Sequence, residues 1–228
     1  MLVAAAVLTG HFLFLARTRR QGIDTPVAAG MSFSAYACGF IGSHLLKLVY
    51  DPSVVLRGGW TAVFSIFSSM SSFGGLFGAL AGMVLYFRLR KIDDATRWRM
   101  IDSGAFVFPF GWIFGRLGCT LVHDHPGSAS MSWLAIAGRW DLGFLELLFD
   151  ALVIVPLFLW LDRRPRRAGF YPGVFLSIYG LFRIALDQLH LDPPRYGGIT
   201  VDQWAGAAAV LAGVWFLKMS TTRPMEAT

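Results

Sequence analysis

The chain reads as an all-α, polytopic membrane protein of about seven transmembrane helices, and three observations predict it. Of its 228 residues 55% are hydrophobic and only 15% charged, with a mean hydropathy of +0.56. Apolar runs of roughly 16 to 22 residues recur along the whole length, as membrane-spanning helices require. Basic residues, finally, concentrate in alternate connections between those runs, as cytoplasmic loops do.

The runs place spans at 1–16, 28–50, 62–87, 103–122, 142–161, 170–190 and 201–218 within a single domain, 1–228. One set of connections carries Arg17, Arg19, Arg20, Arg88, Arg90, Lys91, Arg97, Arg99, Arg163, Arg164, Arg166, Arg167, Lys218 and Arg223. The other set carries only Arg57, Arg139 and Arg195. The bias puts the N-terminus outside and the C-terminus in the cytoplasm. It also accounts for the net charge of +6 without a nucleic-acid partner. The first span is short, and its charge follows the apolar run where a signal peptide's charge would precede it, so a late start or truncated helix is expected. Cys38 and Cys119 lie within spans, which argues against a disulfide framework.

Span three holds Gly74, Gly75, Gly78 and Gly82, spaced for close helix packing. Ser68, Ser69, Ser71 and Ser72 precede them, either satisfying backbone groups or facing a polar head group. The connection 123–141, which contains Trp133 and Trp140, is expected on the outer face as a short amphipathic segment in the interface. LDPPRYGGITVDQW, with its Pro and Gly, predicts a structured turn.

Ionisable residues inside apolar spans are costly and point to function. Arg116 lies in FPFGWIFGRLGCTLV and Arg183 in VFLSIYGLFRIALDQL. Each could lock the bundle by pairing with a carboxylate, Arg183 with Asp187 one turn on. Two guanidinium groups near one face also make a phosphate cradle. Glu146 and Asp150, one turn apart in span five, would be protonated or paired with arginine, and Glu146 is a partner for Arg116 or Arg183. Asp102 reads as a helix cap or anchor.

His123, Asp124 and His125 follow Arg116. If the helix persists, His123 shares the face of Arg116 and is a candidate proton acceptor, its basicity raised by Asp124. As a metal site the trio is weak, because two histidines at i and i+2 do not share a helix face and no further ligands are evident. A polar turn closed by Pro126 and Gly127 is the plainer alternative. In span two, Lys47 reads as a snorkelling residue, and His44 as either packing or part of the site.

These residues carry a resemblance. The chain is similar to the prolipoprotein diacylglyceryl transferase family, whose signature runs Gly-Arg-x-Gly-Asn-Phe-x-Asn-Gly-Glu with a later glycine. Here the register reads Gly115-Arg116-Leu117-Gly118-Cys119-Thr120-Leu121-Val122-His123-Asp124, with Gly127 as the later glycine. Pro109-Phe110-Gly111, Glu146, the SSMSSFGGLFG stretch and YGLFRIALD, with Arg183 and Asp187, also match. Phe73 stands where the family has a histidine, Cys119 where it has an asparagine, and His44 near a family arginine. A family tyrosine in the first span would precede Met1.

The resemblance implies transfer of the diacylglyceryl group of phosphatidylglycerol to the lipobox cysteine of a prolipoprotein signal peptide. A thioether forms and glycerol phosphate leaves, at the outer leaflet of the bacterial inner membrane. On that reading Arg116, Arg183, Gly118, Gly127 and Asp187 bind substrate, with Asp187 and Glu146 orienting the arginines. His123 or His44 takes the proton, with Asp124 and Glu146 in the catalytic set. No metal or organic cofactor is required, and the partners are the two substrates and membrane lipid. The alternatives are a non-catalytic homologue that binds anionic lipid or signal helices and, more remotely, a transporter. A retinal-type protein is disfavoured because Lys218 sits at the end of its span.

Overall fold

In the computed structural model, residues 1–50, 71–191 and 195–222 are described. Seven long helices lie among them: α1 (Leu2–Arg20), α2 (Thr25–Tyr50), α3 (Ser72–Leu89), α4 (Asp94–Val122), α5 (Leu142–Leu161), α6 (Phe170–Leu186) and α7 (Val201–Thr221). The chain is an all-α, multi-pass membrane protein. By length and composition α1, α4, α5 and α7 can each cross a membrane, and Phe73–Leu89 is a shorter apolar helix. Arg57, Ser68, Ser69 and Arg223 lie outside the described residues, as does the side chain of Lys47.

Three expected boundaries move. The first helix does not stop at residue 16 but runs through its basic cluster to Arg20, giving 19 residues, close to the ~20 that span a bilayer. The fourth begins at Asp94, because Asp93 caps it by accepting the Thr96 N–H at 2.9 Å. The sixth ends at Leu186 and tightens into a 3₁₀ turn, Asp187–Leu189.

The helices fall into two compact units, Met1–Gln21 with Trp98–Thr228, and Gly22–Arg97. In the second unit α2 and α3 meet along glycines. A Cβ on Gly42 would lie 2.9 Å from the Gly78 Cα, so the spacing read from the sequence is a packing seam. Ser34 crosses it to donate to the Gly82 carbonyl at 2.9 Å, and Ser71 caps α3 by accepting the Gly74 N–H.

In the first unit α6 and α7 make a similar seam, a Cβ on Gly180 coming 2.6 Å from the Gly206 carbonyl oxygen. Phe106, Phe158 and Tyr171 fill the core nearby, with ring centroids 4.9–5.9 Å apart. α5 is interrupted by a π turn, Asp150–Ile154, in which the Val155 N–H donates to the Asp150 carbonyl. Pro156 follows inside the helix and has no N–H for the usual ladder, which accounts for the interruption.

Two small antiparallel hairpins join these helices. The connection expected as a short amphipathic segment in the interface folds as the hairpin of β1 (Pro126–Ala129) and β2 (Arg139–Asp141). Ala137 and Gly138 both have positive φ and connect the mutually bonded Ile136 and Arg139. A two-residue turn of that hand favours a hairpin over a helix. Met131 and Trp133 are fully exposed at its tip. The second hairpin, β3 (Arg195–Tyr196) with β4 (Ile199–Thr200), turns at Gly197–Gly198 and is the structured turn expected there.

Candidate active site

The site is built around Glu146, one turn into α5. Asp141 caps that helix by accepting the Phe144 N–H at 2.9 Å, and the cap fixes which face Glu146 presents. Only 1% of its side chain is exposed, yet it carries four polar contacts. Arg116 from α4 meets Oε1 at 2.9 Å, and Trp112 donates to the same atom at 3.4 Å. Tyr179 donates its hydroxyl to Oε1, and Arg183 from α6 reaches Oε2 at 3.3 Å. Arg183 also grips Asp202 at the start of α7, at 2.5 Å. Four helices thus converge on two guanidinium groups and two carboxylates.

Burying ions costs several kcal/mol each unless they are paired, and removing one partner strands the other. The cluster is therefore balanced but shared, because one glutamate serves two arginines. Each guanidinium has five N–H donors, and the Arg116 Nε has no partner. Arg116 also lies 4.6 Å from the centroid of the Trp112 ring, which fixes its plane. Asp150, fully buried one turn beyond Glu146, has no hydrogen bond at either oxygen. A pair of oriented cations with spare donors can take an oxyanion such as a phosphate.

The other expected site residues divide. Asp187 does not pair with Arg183. It accepts a hydrogen bond from Thr200 at 2.6 Å, because the chain tightens to 3₁₀ at Asp187 and its carboxylate leaves the face of Arg183. The helix does not persist to His123 either. It ends at Val122, and His123 sits at φ +51, with its Nδ1 2.7 Å from Asp141 rather than beside Asp124.

Asp124 contacts His125 instead. The neighbouring Cys119 foremost, with Asp124, outweighs the downward pull of burial and pushes the His125 pKa up to about 9. A Cβ on Gly118 would make only ordinary contact with Leu2, whereas one on Gly127 would meet the Leu189 carbonyl oxygen at 2.7 Å, so Gly127 is required for packing. His44 and Phe73 belong to the second unit. There the His44 Nδ1 lies 2.7 Å from the Phe40 carbonyl oxygen.

Sequence reasoning missed Asp202, Tyr179 and Trp112. Asp202 carried a signal, since Thr200 and Gln203 form a capping box that marks a helix start where an acidic residue is favoured. At the opposite end of this unit Asp102 is a cap, as expected, but for α6 rather than its own helix. Its Oδ1 accepts the N–H groups of Gly169 and Tyr171, each at 3.0 Å.

A sequence profile of the family described as prolipoprotein diacylglyceryl transferase matches residues 1–219. The chain belongs to this family. A phosphatidylglycerol–prolipoprotein diacylglyceryl transferase of Solidesulfovibrio magneticus is 30% identical over 232 residues, covering 94% of this chain and 84% of its own. One of Chromohalobacter salexigens is 27% identical over 169 residues, 69% of this chain and 62% of the relative. One of Thermotoga petrophila is 24% identical over 226 residues, 93% and 76% respectively. Against the Chromohalobacter and Methylobacillus flagellatus relatives the chain spans 62% of their length.

Proposed function

We propose that this family member transfers the diacylglyceryl group of phosphatidylglycerol to the lipobox cysteine of a prolipoprotein, with residues 1–228 acting as one domain. The observation that carries the reading is the pair Arg116 and Arg183 sharing the buried Glu146. The substrate thiolate attacks the glycerol carbon bearing the phosphate ester and a carbon–sulfur bond forms. The carbon–oxygen bond breaks and glycerol phosphate leaves with the electron pair. Charge grows on that phosphate, and preorganised guanidinium donors in a water-poor site stabilise it. Glu146 holds both cations in place, and Asp202 restrains Arg183 from the other side.

The thiol proton goes to an imidazole. His123 is held by Asp141, and His44 is the second candidate; kinetics of His123→Ala and His44→Ala separate them. The basic-loop bias supports a site toward the outer leaflet of a bacterial inner membrane, where both substrates lie. Purified protein incubated with phosphatidylglycerol and a lipobox peptide should yield the thioether, and Arg116→Ala should lower its formation by roughly 10²–10³-fold. Folded protein that forms no product overturns the assignment.

Phe73, in place of the family histidine, favours a second reading: a homologue that binds anionic lipid without turnover. Phosphatidylglycerol binding that weakens in Arg116→Ala, with no product from the unaltered chain, would select it.

A further inference from the structure

Where α4 ends, three side chains of different chemistry converge. Cys119 lies on its last turn, and the positive φ at His123 folds the following residues back over that turn. One ligand atom each from Cys119, Asp124 and His125 lies within 4.8 Å of the others. The backbone holding them is fixed. The His125 carbonyl accepts the Leu142 N–H at 3.0 Å, and Pro126 keeps His125 extended. Gly143 brings α5 close to the same turn, since a Cβ there would lie 3.1 Å from the Cys119 Cβ.

We propose that Cys119, Asp124 and His125 form a binding site for a divalent transition-metal ion of the zinc class. A thiolate, an imidazole and a carboxylate are the donors zinc takes, whereas magnesium and calcium call for oxygen alone. Tetrahedral coordination at bond lengths of 2.0–2.3 Å sets donors roughly 3.3–3.7 Å apart, so the exposed Asp124 and the half-buried Cys119 and His125 reach it by side-chain rotation that replaces the Asp124–His125 contact. Three protein donors leave the fourth position open, as catalytic zinc sites do.

Binding releases the thiol proton of Cys119 and the imidazolium proton of His125, and the metal replaces them on sulfur and nitrogen. Arg116 favours that form, its Nη1 lying 4.0 Å from the Cys119 Sγ. Its own charge is answered by Glu146 at 2.9 Å, so it does not repel the ion as an unpaired cation would. The site goes beyond the transferase reading and does not depend on it.

Cobalt(II) titrated into the purified full chain in detergent, with any affinity tag removed, tests this without turnover. A thiolate-to-cobalt charge-transfer band should grow to one ion per chain and disappear when zinc is added. Cys119→Ser and His125→Ala should each weaken cobalt binding on the order of 100-fold, while Cys38→Ser and His123→Ala keep the band. Size-exclusion profiles and circular dichroism establish that each variant is folded, and Asp124→Asn gives a further variant should Cys119→Ser misfold. Absence of the band in folded protein, or its persistence in both Cys119→Ser and His125→Ala, overturns the site.

Discussion

Two polar clusters occupy opposite ends of the same unit, and they are wired differently. At the end near the basic connections, Arg17 holds Asp162 through two hydrogen bonds of 2.8 and 3.0 Å. Tyr171 adds its hydroxyl to Asp162 at 2.7 Å, and Asp102 spends its carboxylate on backbone N–H groups. Burial pulls the Asp162 pKa upward, but the Arg17 and Tyr171 hydrogen bonds outweigh it and hold the group below the usual carboxylate range. There one arginine meets one carboxylate face to face. At the Glu146 end a single carboxylate divides itself between two arginines. The first arrangement ties helices together through one matched pair, although the Arg17 Nε, like that of Arg116, has no partner; the second sets two cations around one carboxylate, where both can hold an anion.

The sharpest way to break this comparison is Glu146→Leu. It strands Arg116 without its counter-ion and leaves Arg183 with Asp202 alone, and should cost about 3–5 kcal/mol, read as a fall in thermal midpoint by tryptophan fluorescence. Adding Arg116→Met should recover much of that stability while product formation stays absent. Next in size, Arg116→Ala in the Glu146-containing chain should lower thioether formation by roughly 10²–10³-fold, with a fall in midpoint smaller than that of Glu146→Leu because Glu146 keeps Arg183. The opposite cluster should give the reverse pattern. Asp102→Ala should cost about 1–3 kcal/mol of stability, as two buried N–H groups lose their acceptor, yet leave the KM for phosphatidylglycerol unchanged.

Smallest is Asp162→Asn, half exposed and expected to cost at most ~1 kcal/mol. Because the folded pKa of Asp162 is depressed, its contribution is present above the unfolded carboxylate pKa and fades as pH falls through the folded one. Midpoints of the unaltered chain and the variant should therefore converge in acid. Divergence there would mean that the Arg17 pairing is not what holds this end.

The two ends were not equally legible. Arg116, Arg183 and Glu146 stood out because a lone charge in a membrane-length apolar run has few explanations. The spans were legible for the same reason, and most boundary shifts trace to caps and charged ends that hydropathy does not weigh. What stayed hidden depended on where the backbone departs from the α-helix. Asp187 at i+4 suggested a pair with Arg183, and a 3₁₀ turn sends it to Thr200 instead. His123 promised to share a helix face with Arg116, and one left-handed residue gave it to Asp141 and brought His125 to Cys119. No pattern of residue types announced either event.

The π turn at Asp150–Ile154 carries a consequence of the same kind for evolution and engineering. It inserts a phase slip into α5, so that the half bearing Glu146 is indexed independently of the half bearing Phe158 and Leu161. Deleting one residue within the turn would leave hydrophobicity and helical content almost untouched, yet swing Glu146 by ~100° about the axis. The helix would still cross the bilayer, with its carboxylate pointing at the wrong neighbours. Length in this stretch acts as a dial setting, and substitutions there should be tolerated far better than insertions or deletions.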